Sequence, residues 1–186
     1  LDMCAGPGGK AALLSNIARQ RDITFTANEV SAVRADLVRQ VVNGDRVLVG
    51  DGRQIGDLEE KFDAILIDAP CTGLGALRRR PEVRWRRTLQ DLRELTQLQR
   101  ELVESGINAL APGGVLGYAT CSPHLAETSI QIADIKKRFP TMQQMEITPF
   151  LPDNLVDSER AGAMSLWTHK IGTDAMYLAL FKKIAE

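Results

Sequence analysis

The chain has 186 residues, 44% of them hydrophobic and 25% charged, which is enough apolar material for the core of one domain. No run approaches the roughly 18 apolar residues of a membrane span, no signal peptide is visible, and three cysteines at wide spacing suit a reducing compartment without forming a metal-ligand pattern. The net charge of -1 says nothing about nucleic acid by itself, but its distribution along the chain does.

Apolar strand patterns alternate with helical ones, as in βαβ units, and predict an α/β domain with a doubly wound sheet. A short apolar piece opening at Leu1 runs into Gly6-Pro7-Gly8-Gly9-Lys10, and then into a helical pattern carrying Ala12, Leu13, Leu14 and Ile17. Ile23 to Glu29 reads as a strand, Ser31 to Val42 as a helix opened by an N-cap serine, and Arg46 to Gly50 as a strand ending at Asp51-Gly52-Arg53. Phe62 to Asp68 is an apolar strand closed by Ala69-Pro70-Cys71. After a loop comes a long helix, Leu89 to Leu110, with an apolar stripe of Leu92, Leu95, Leu98, Leu102 and Val103. Pro112-Gly113-Gly114 is expected to turn into a strand, Val115 to Ala119, which leads to Thr120-Cys121-Ser122-Pro123. A helix from Ala126 to Phe139, a strand near Met142 to Ile147, a long loop from Pro149 to Thr173 and a final strand from Ala175 to Lys183 complete the chain.

Ligands of open α/β sheets bind beyond the carboxyl ends of the strands, so the residues at those ends are the candidates for chemistry. Glycines there let the backbone approach a ligand and aim amide groups at it. Gly6, Gly8 and Ala11 formally fit a dinucleotide-binding turn, whereas Ala11 after Lys10 lacks the hydroxyl that a nucleotide-phosphate loop offers Mg²⁺. Glu29 falls about 20 residues beyond the turn, where a carboxylate can accept both hydrogen bonds of a ribose diol. With Asp51 and Asp68 at the next two strand ends, the pattern favours an adenosine-containing ligand. Cys71 and Cys121 each lie just past a strand, and on neighbouring strands they would stand on ridges roughly 5 Å apart. Cys4 reads as packing. Between the two strand-end cysteines lies a basic run, Arg78, Arg79, Arg80, Arg84, Arg86 and Arg87, with Trp85 among them to stack on a base. His124 and His169 read as surface or loop residues, and Trp167 is expected to pack the long loop onto the sheet.

The set Asp2-Met3-Cys4-Ala5-Gly6-Pro7-Gly8-Gly9-Lys10, Asp51-Gly52-Arg53, Asp68-Ala69-Pro70-Cys71, Arg79-x-Pro81-x-x-x-Trp85 and Tyr118-Ala119-Thr120-Cys121-Ser122 resembles the Nol1/Nop2/Sun family of RNA 5-methylcytosine methyltransferases, in its bacterial 16S ribosomal RNA branch. The resemblance covers nearly the whole chain in the right order. It implies a class I methyltransferase fold with a seven-stranded sheet whose last strand is antiparallel, S-adenosylmethionine as cofactor, RNA as partner, no metal and a cytoplasmic setting. It places Cys4, Ala5, Gly6, Pro7, Gly8, Gly9, Lys10, Glu29 and Arg34 around the cofactor, Asp51 near its adenine, and Asp68 near its amino acid end and the cytosine. It makes Cys121 the nucleophile and Cys71 the residue that assists product release. Residues 1–186 then form the catalytic domain, with part of the first strand and an RNA-binding segment expected upstream. Glu29 stands where the family usually has Asp, Gly6 where Ala is common, Ala11 where Thr is common, and Asp174-Ala175-Met176-Tyr177 replaces the usual Asp-Gly-Phe-Phe.

Carbon 5 of cytosine is a poor nucleophile, so a thiolate must first add to carbon 6 and push electron density onto carbon 5. Asp68, carrying or sharing a proton, is suited to stabilise the charge that develops at the ring nitrogen. The residues alone leave two other readings open: a nicotinamide-dependent oxidoreductase built on the glycine turn, and a non-catalytic RNA-binding module on the same fold.

Overall fold

The computed structural model describes residues 1–42 and 44–184. Its sheet is built outward from β3 (Phe62–Asp68), in which Ile65 and Ile67 point into the core while Ala64, Leu66 and Asp68 alternate to the other face. On one side β3 pairs in parallel with β4 (Leu110–Thr120), with Asp68 opposite Ala119. On the other side lies the first segment of the chain, where Met3 N–H donates to Leu66 O at 2.9 Å and Leu66 N–H donates to Leu1 O at 2.8 Å. Asp2 bridges both β3 and β1 (Thr26–Glu29), and β1 pairs in parallel with β2 (Arg46–Val49). Beyond β4 the sheet continues with β8 (Met176–Lys183), antiparallel as expected for the last strand. Along the far edge of β8 lie β5 (Met142–Gln144) and β7 (Ala163–Leu166), and β7 also pairs with β6 (Glu159–Arg160).

Two layers of helices cover this sheet. On one face α4 (Leu89–Ala109) and α5 (Ser129–Arg138) bury Leu102, Val103, Ile107, Ile132 and Ile135 against Ile65, Ile67, Leu116, Tyr118 and Phe181. Thr88 and Asp91 form a reciprocal capping box at the start of α4. Gly106 lets this helix sit close, because a Cβ there would lie 2.9 Å from Ile67 Cδ1. Toward β1 and β2, α1 (Gly9–Gln20) and α2 (Ala32–Val41) enclose a smaller cluster of Ala11, Ala18, Phe25, Ala27, Val38 and Val42. Ser31 caps α2 as expected, its hydroxyl accepting from Arg34 N–H.

Three expectations need correction. Eight strands form among the described residues rather than seven, because the Pro149 to Thr173 stretch is not one loop. It contains the β6–β7 hairpin, turned through Ala161 and Gly162 at positive φ, and the short helix α6 (Thr168–Ile171). The first sheet position, by contrast, holds only the Asp2 bridge. Second, β4 starts at Leu110 instead of Val115: the Pro112-Gly113-Gly114 turn is a bulge, with Phe62 opposite Leu110 and Ala64 opposite Val115, and Gly113 takes the left-handed φ of 78°. Third, Trp167 does not seal a loop onto the sheet; it is 39% exposed and lies near His169, with ring centroids 6.1 Å apart.

Ile67 is fully buried beneath α4, facing Gly106. Ile67→Ala should lower the unfolding free energy by about 2–5 kcal/mol in urea titrations, through lost burial and an unfilled cavity.

Candidate active site

The site forms where the parallel strands end. The pairing of β3 with β4 runs one residue further, through Ala69 N–H to Ala119 O at 2.8 Å, before Pro70 stops it. Cys71 and Cys121 then follow on adjacent ridges, three residues past Asp68 and two past its partner Ala119, and their sulfurs lie 3.3 Å apart, both half-buried. The contact with Cys71 pulls Cys121 below the usual thiol range, against burial and the nearby charge of Asp68, with help from Lys10. The same contact, together with burial, pushes Cys71 well above the usual thiol range. The two sulfurs are thus close enough to share a proton, and either can be the donor of the contact.

Lys10, in the first turn of α1, donates to Asp68 Oδ2 at 2.7 Å. Burial disfavours its ammonium, but the hydrogen bond and charge of Asp68 outweigh that and raise it above its ordinary value. Cys4 packs against the main core, and burial followed by the charges of Asp2 and Asp68 pushes its thiol up to about 12, which suits packing rather than reactivity. Asp2 is fully buried, with neither carboxylate oxygen hydrogen-bonded among the described residues, and burial followed by the charge of Asp68 raises it to about 6. Asn28 Oδ1 is likewise buried without a partner.

Glu29 is 3% exposed and orders the glycine turn. It accepts from Gly6 N–H at 3.0 Å, Ser31 N–H at 2.9 Å and Arg34 Nη2 at 2.5 Å. A Cβ on Gly6 would stand 2.3 Å from Glu29 Oε2. The two departures noted at these positions thus belong together, since the longer carboxylate fills the place an alanine methyl would take. Asp51, at the end of β2, caps the following turn and grips Arg53 through both oxygens, which holds its carboxyl below the usual range.

Next to the thiols, the loop after Cys71 is pinned by Gly75. Its N–H donates to Cys121 O at 2.9 Å and its carbonyl accepts from Ala175 N–H at 2.9 Å, and a Cβ there would meet Ala175 O at 2.2 Å. From this anchor the basic run projects outward. Trp85, in the short helix α3 (Val83–Arg86), is 79% exposed, with the Arg84 guanidinium 5.4 Å from its ring centroid. Arg78, Arg80, Arg84 and Arg86 are exposed. Arg79 pairs with Asp174, just ahead of β8, and Arg87 Nε donates to Thr72 O at 3.2 Å, so these two also brace the loop.

Sequence reasoning missed the support beneath the thiols: Thr72, Gln99, Tyr118, Ser122 and Glu127, all buried and hydrogen-bonded to one another. Gln99 carried a signal, because it interrupts the apolar stripe of α4 between Leu95 and Leu102. Glu127 carried none, being one polar residue at the start of an amphipathic helix.

Parallel strands ending in a glycine turn and a row of carboxylates, closed by an antiparallel β8, define a class I S-adenosylmethionine-dependent methyltransferase fold. The chain belongs to the 16S rRNA methyltransferase RsmB/F family, whose model matches residues 1–182, and the nicotinamide reading of the glycine turn falls away. It is 48% identical over 186 residues to a Mycobacterium tuberculosis protein named for methyltransferase activity, covering 99% of this chain and 40% of that one. It is 37% identical over 188 residues to ribosomal RNA small subunit methyltransferase B of Cronobacter sakazakii, covering 98% of this chain and 42% of that one. The crystal structure of NSun6 from Pyrococcus horikoshii with SFG superposes with a TM-score of 0.85 at 27% identity, covering 100% of this chain and 47% of that one. The chain thus spans about two fifths of the length of the curated relatives it matches. Among the described residues, no helix is long and apolar enough to cross a membrane.

Two measurements test this geometry. Iodoacetamide labelling of Cys121 should rise at a pH below that of an ordinary thiol, while Cys4 and Cys71 stay unlabelled there, and Cys71→Ala should move the Cys121 midpoint upward. Gly6→Ala should destabilise the fold by about 1–3 kcal/mol in chemical denaturation, and Glu29→Asp in the same chain should restore most of the loss.

Proposed function

We propose that this domain methylates carbon 5 of a cytosine in RNA, with 16S ribosomal RNA as the substrate, through a covalent adduct on Cys121. The observation that carries the reading is the pair of sulfurs 3.3 Å apart beside the Lys10–Asp68 ion pair. A single activated thiol would suffice for many nucleophilic reactions. Two thiols in contact suit a reaction in which the same sulfur must attack and later leave.

The strand ends fit S-adenosylmethionine. Free amide groups at the glycine turn and the start of α1 suit its carboxylate, while the buried, unpartnered Asp2 oxygens and Asp68 suit its cationic amino acid end. Glu29 suits the ribose diol, with Arg34 steadying Glu29, and Asp51 lies at the strand end on the adenine side. When bound, the cofactor supplies an electrophilic methyl on a sulfonium, a good leaving group.

The chain's own residues account for the other steps. Cys121, as thiolate, adds to carbon 6 of the ring. Lys10 and Asp68, hydrogen-bonded to each other, hold a proton for the ring nitrogen as electron density moves toward carbon 5. After methyl transfer, water takes the carbon 5 proton, the C–H electrons re-form the ring double bond and expel the Cys121 sulfur as thiolate, and the ring nitrogen returns its proton to the Lys10–Asp68 pair. The Cys71 S–H stabilises that sulfur as it regains its negative charge, and in this way assists release. Exposed Arg78, Arg80, Arg84 and Arg86 meet RNA phosphates, and Trp85 offers a stacking face. The substrate class places the activity in the cytoplasm.

With the full-length protein and RNA containing 5-azacytidine, the wild type should form a denaturation-resistant adduct. Cys121→Ala should form none and lose at least about a thousandfold in methyl transfer. Cys71→Ala should instead accumulate the adduct on ordinary RNA. Methylation by Cys121→Ala at the wild-type rate would overturn the assignment.

A further inference from the structure

The thiols rest on a buried polar layer that the chemistry above does not use. Glu127, in the turn before α5, is fully buried and meets three donors, with no cation paired to it among the described residues. Its Oε1 accepts from Thr72 N–H at 2.8 Å and Gln99 Nε2 at 3.2 Å, and its Oε2 accepts the Thr72 hydroxyl at 2.5 Å. Gln99 also donates to Pro70 O at 2.9 Å, and the Tyr118 hydroxyl donates to the Glu127 carbonyl at 2.9 Å. Thr72 Oγ1 lies 3.3 Å from Ser122 Oγ.

These bonds have a specific address. Thr72 follows Cys71 and Ser122 follows Cys121, while Pro70 precedes Cys71. One carboxylate therefore grips the backbone and side chain next to one thiol and, through the Thr72 hydroxyl, reaches the residue next to the other. Beyond the paired strands, the backbone around Cys71 has no ladder hydrogen bonds to hold it, and a short S–H contact tolerates little drift. A fully buried carboxylate is costly to keep unless its acceptors are satisfied, and here the satisfying donors all come from the segments that carry or support the thiols.

We propose that Glu127 is a positioning residue that sets the spacing of Cys71 and Cys121. It thereby controls adduct formation and release while leaving RNA affinity to the basic loop. The inference rests on the two-thiol reading of the site. Glu127 touches neither substrate nor cofactor; it acts through Thr72, and through Thr72 on Ser122.

The test separates this role from general support of the fold. In the full-length enzyme, Glu127→Ala should lower kcat by about a hundredfold while KM for RNA changes by less than about twofold. Glu127→Gln keeps the shape and an acceptor for Thr72 N–H, and should retain kcat within about threefold of wild type. Iodoacetamide labelling of Cys121, read without RNA, supplies the second measurement. In Glu127→Ala its midpoint should climb from its lowered wild-type value toward the ordinary thiol range, because Cys71 no longer reaches it. The other charged or titratable groups facing Cys121, namely Asp68, Lys10 and Arg79, are unaltered in these variants. A folded Glu127→Ala with wild-type midpoint and kcat would overturn the proposal, as would equal loss in the Ala and Gln variants with no change in midpoint. If Glu127→Ala fails to fold, Thr72→Ala decides: it keeps the backbone donor but removes the link to Ser122, and an unmoved midpoint refutes the positioning role. Failure of the cytosine reading would show separately, as wild-type enzyme that labels normally but does not methylate RNA.

Discussion

The molecule depends on the parallel pairing of β3 with β4. Asp68 sits opposite Ala119, so the residues after the two strands emerge side by side and the cysteine sulfurs come within 3.3 Å. A slip of one residue in that register would turn the buried set Ile65, Ile67, Leu116 and Tyr118 toward the opposite face. The hydrophobic core that fixes the register thus also fixes the thiol pair.

Around this pair the electrostatics are divided. Lys10 and Asp68 neutralise each other at one edge, Arg79 and Asp174 at another, and Arg53 occupies Asp51. In between, burial and the charge of Asp68 raise Asp2, while the contact between the thiols raises Cys71 and lowers Cys121. Perturbed groups gathered at the strand ends of an open sheet mark the part of the molecule whose free energy a ligand can lower.

The basic loop shows how a near-neutral chain can present a strongly charged surface. Its base is tied down through Gly75 to Cys121 and Ala175 and through the Arg79–Asp174 pair, while among the described residues Trp85 and four arginines stay free of such contacts. The departure at Asp174-Ala175-Met176-Tyr177 keeps what this geometry needs: a carboxylate for Arg79 and a backbone donor for Gly75.

Strand β3, the long helix α4, the glycine turn and the strand-end positions of Glu29, Asp51, Asp68, Cys71 and Cys121 were legible in the amino-acid sequence, because hydrophobic period and turn residues report local structure. The β6–β7 hairpin was not, since its stability comes from docking on β8 rather than from its own alternation. Neither the Gly113 bulge, set by the offset between β3 and β4, nor the shared space of Gly6 and Glu29 leaves a local pattern. Sequence alone determined which chemical groups stand at the strand ends, since each is placed by its own strand. Tertiary structure alone decided how close the two sulfurs come and what holds the pair together, because those properties arise from distances and burial among segments far apart in the chain.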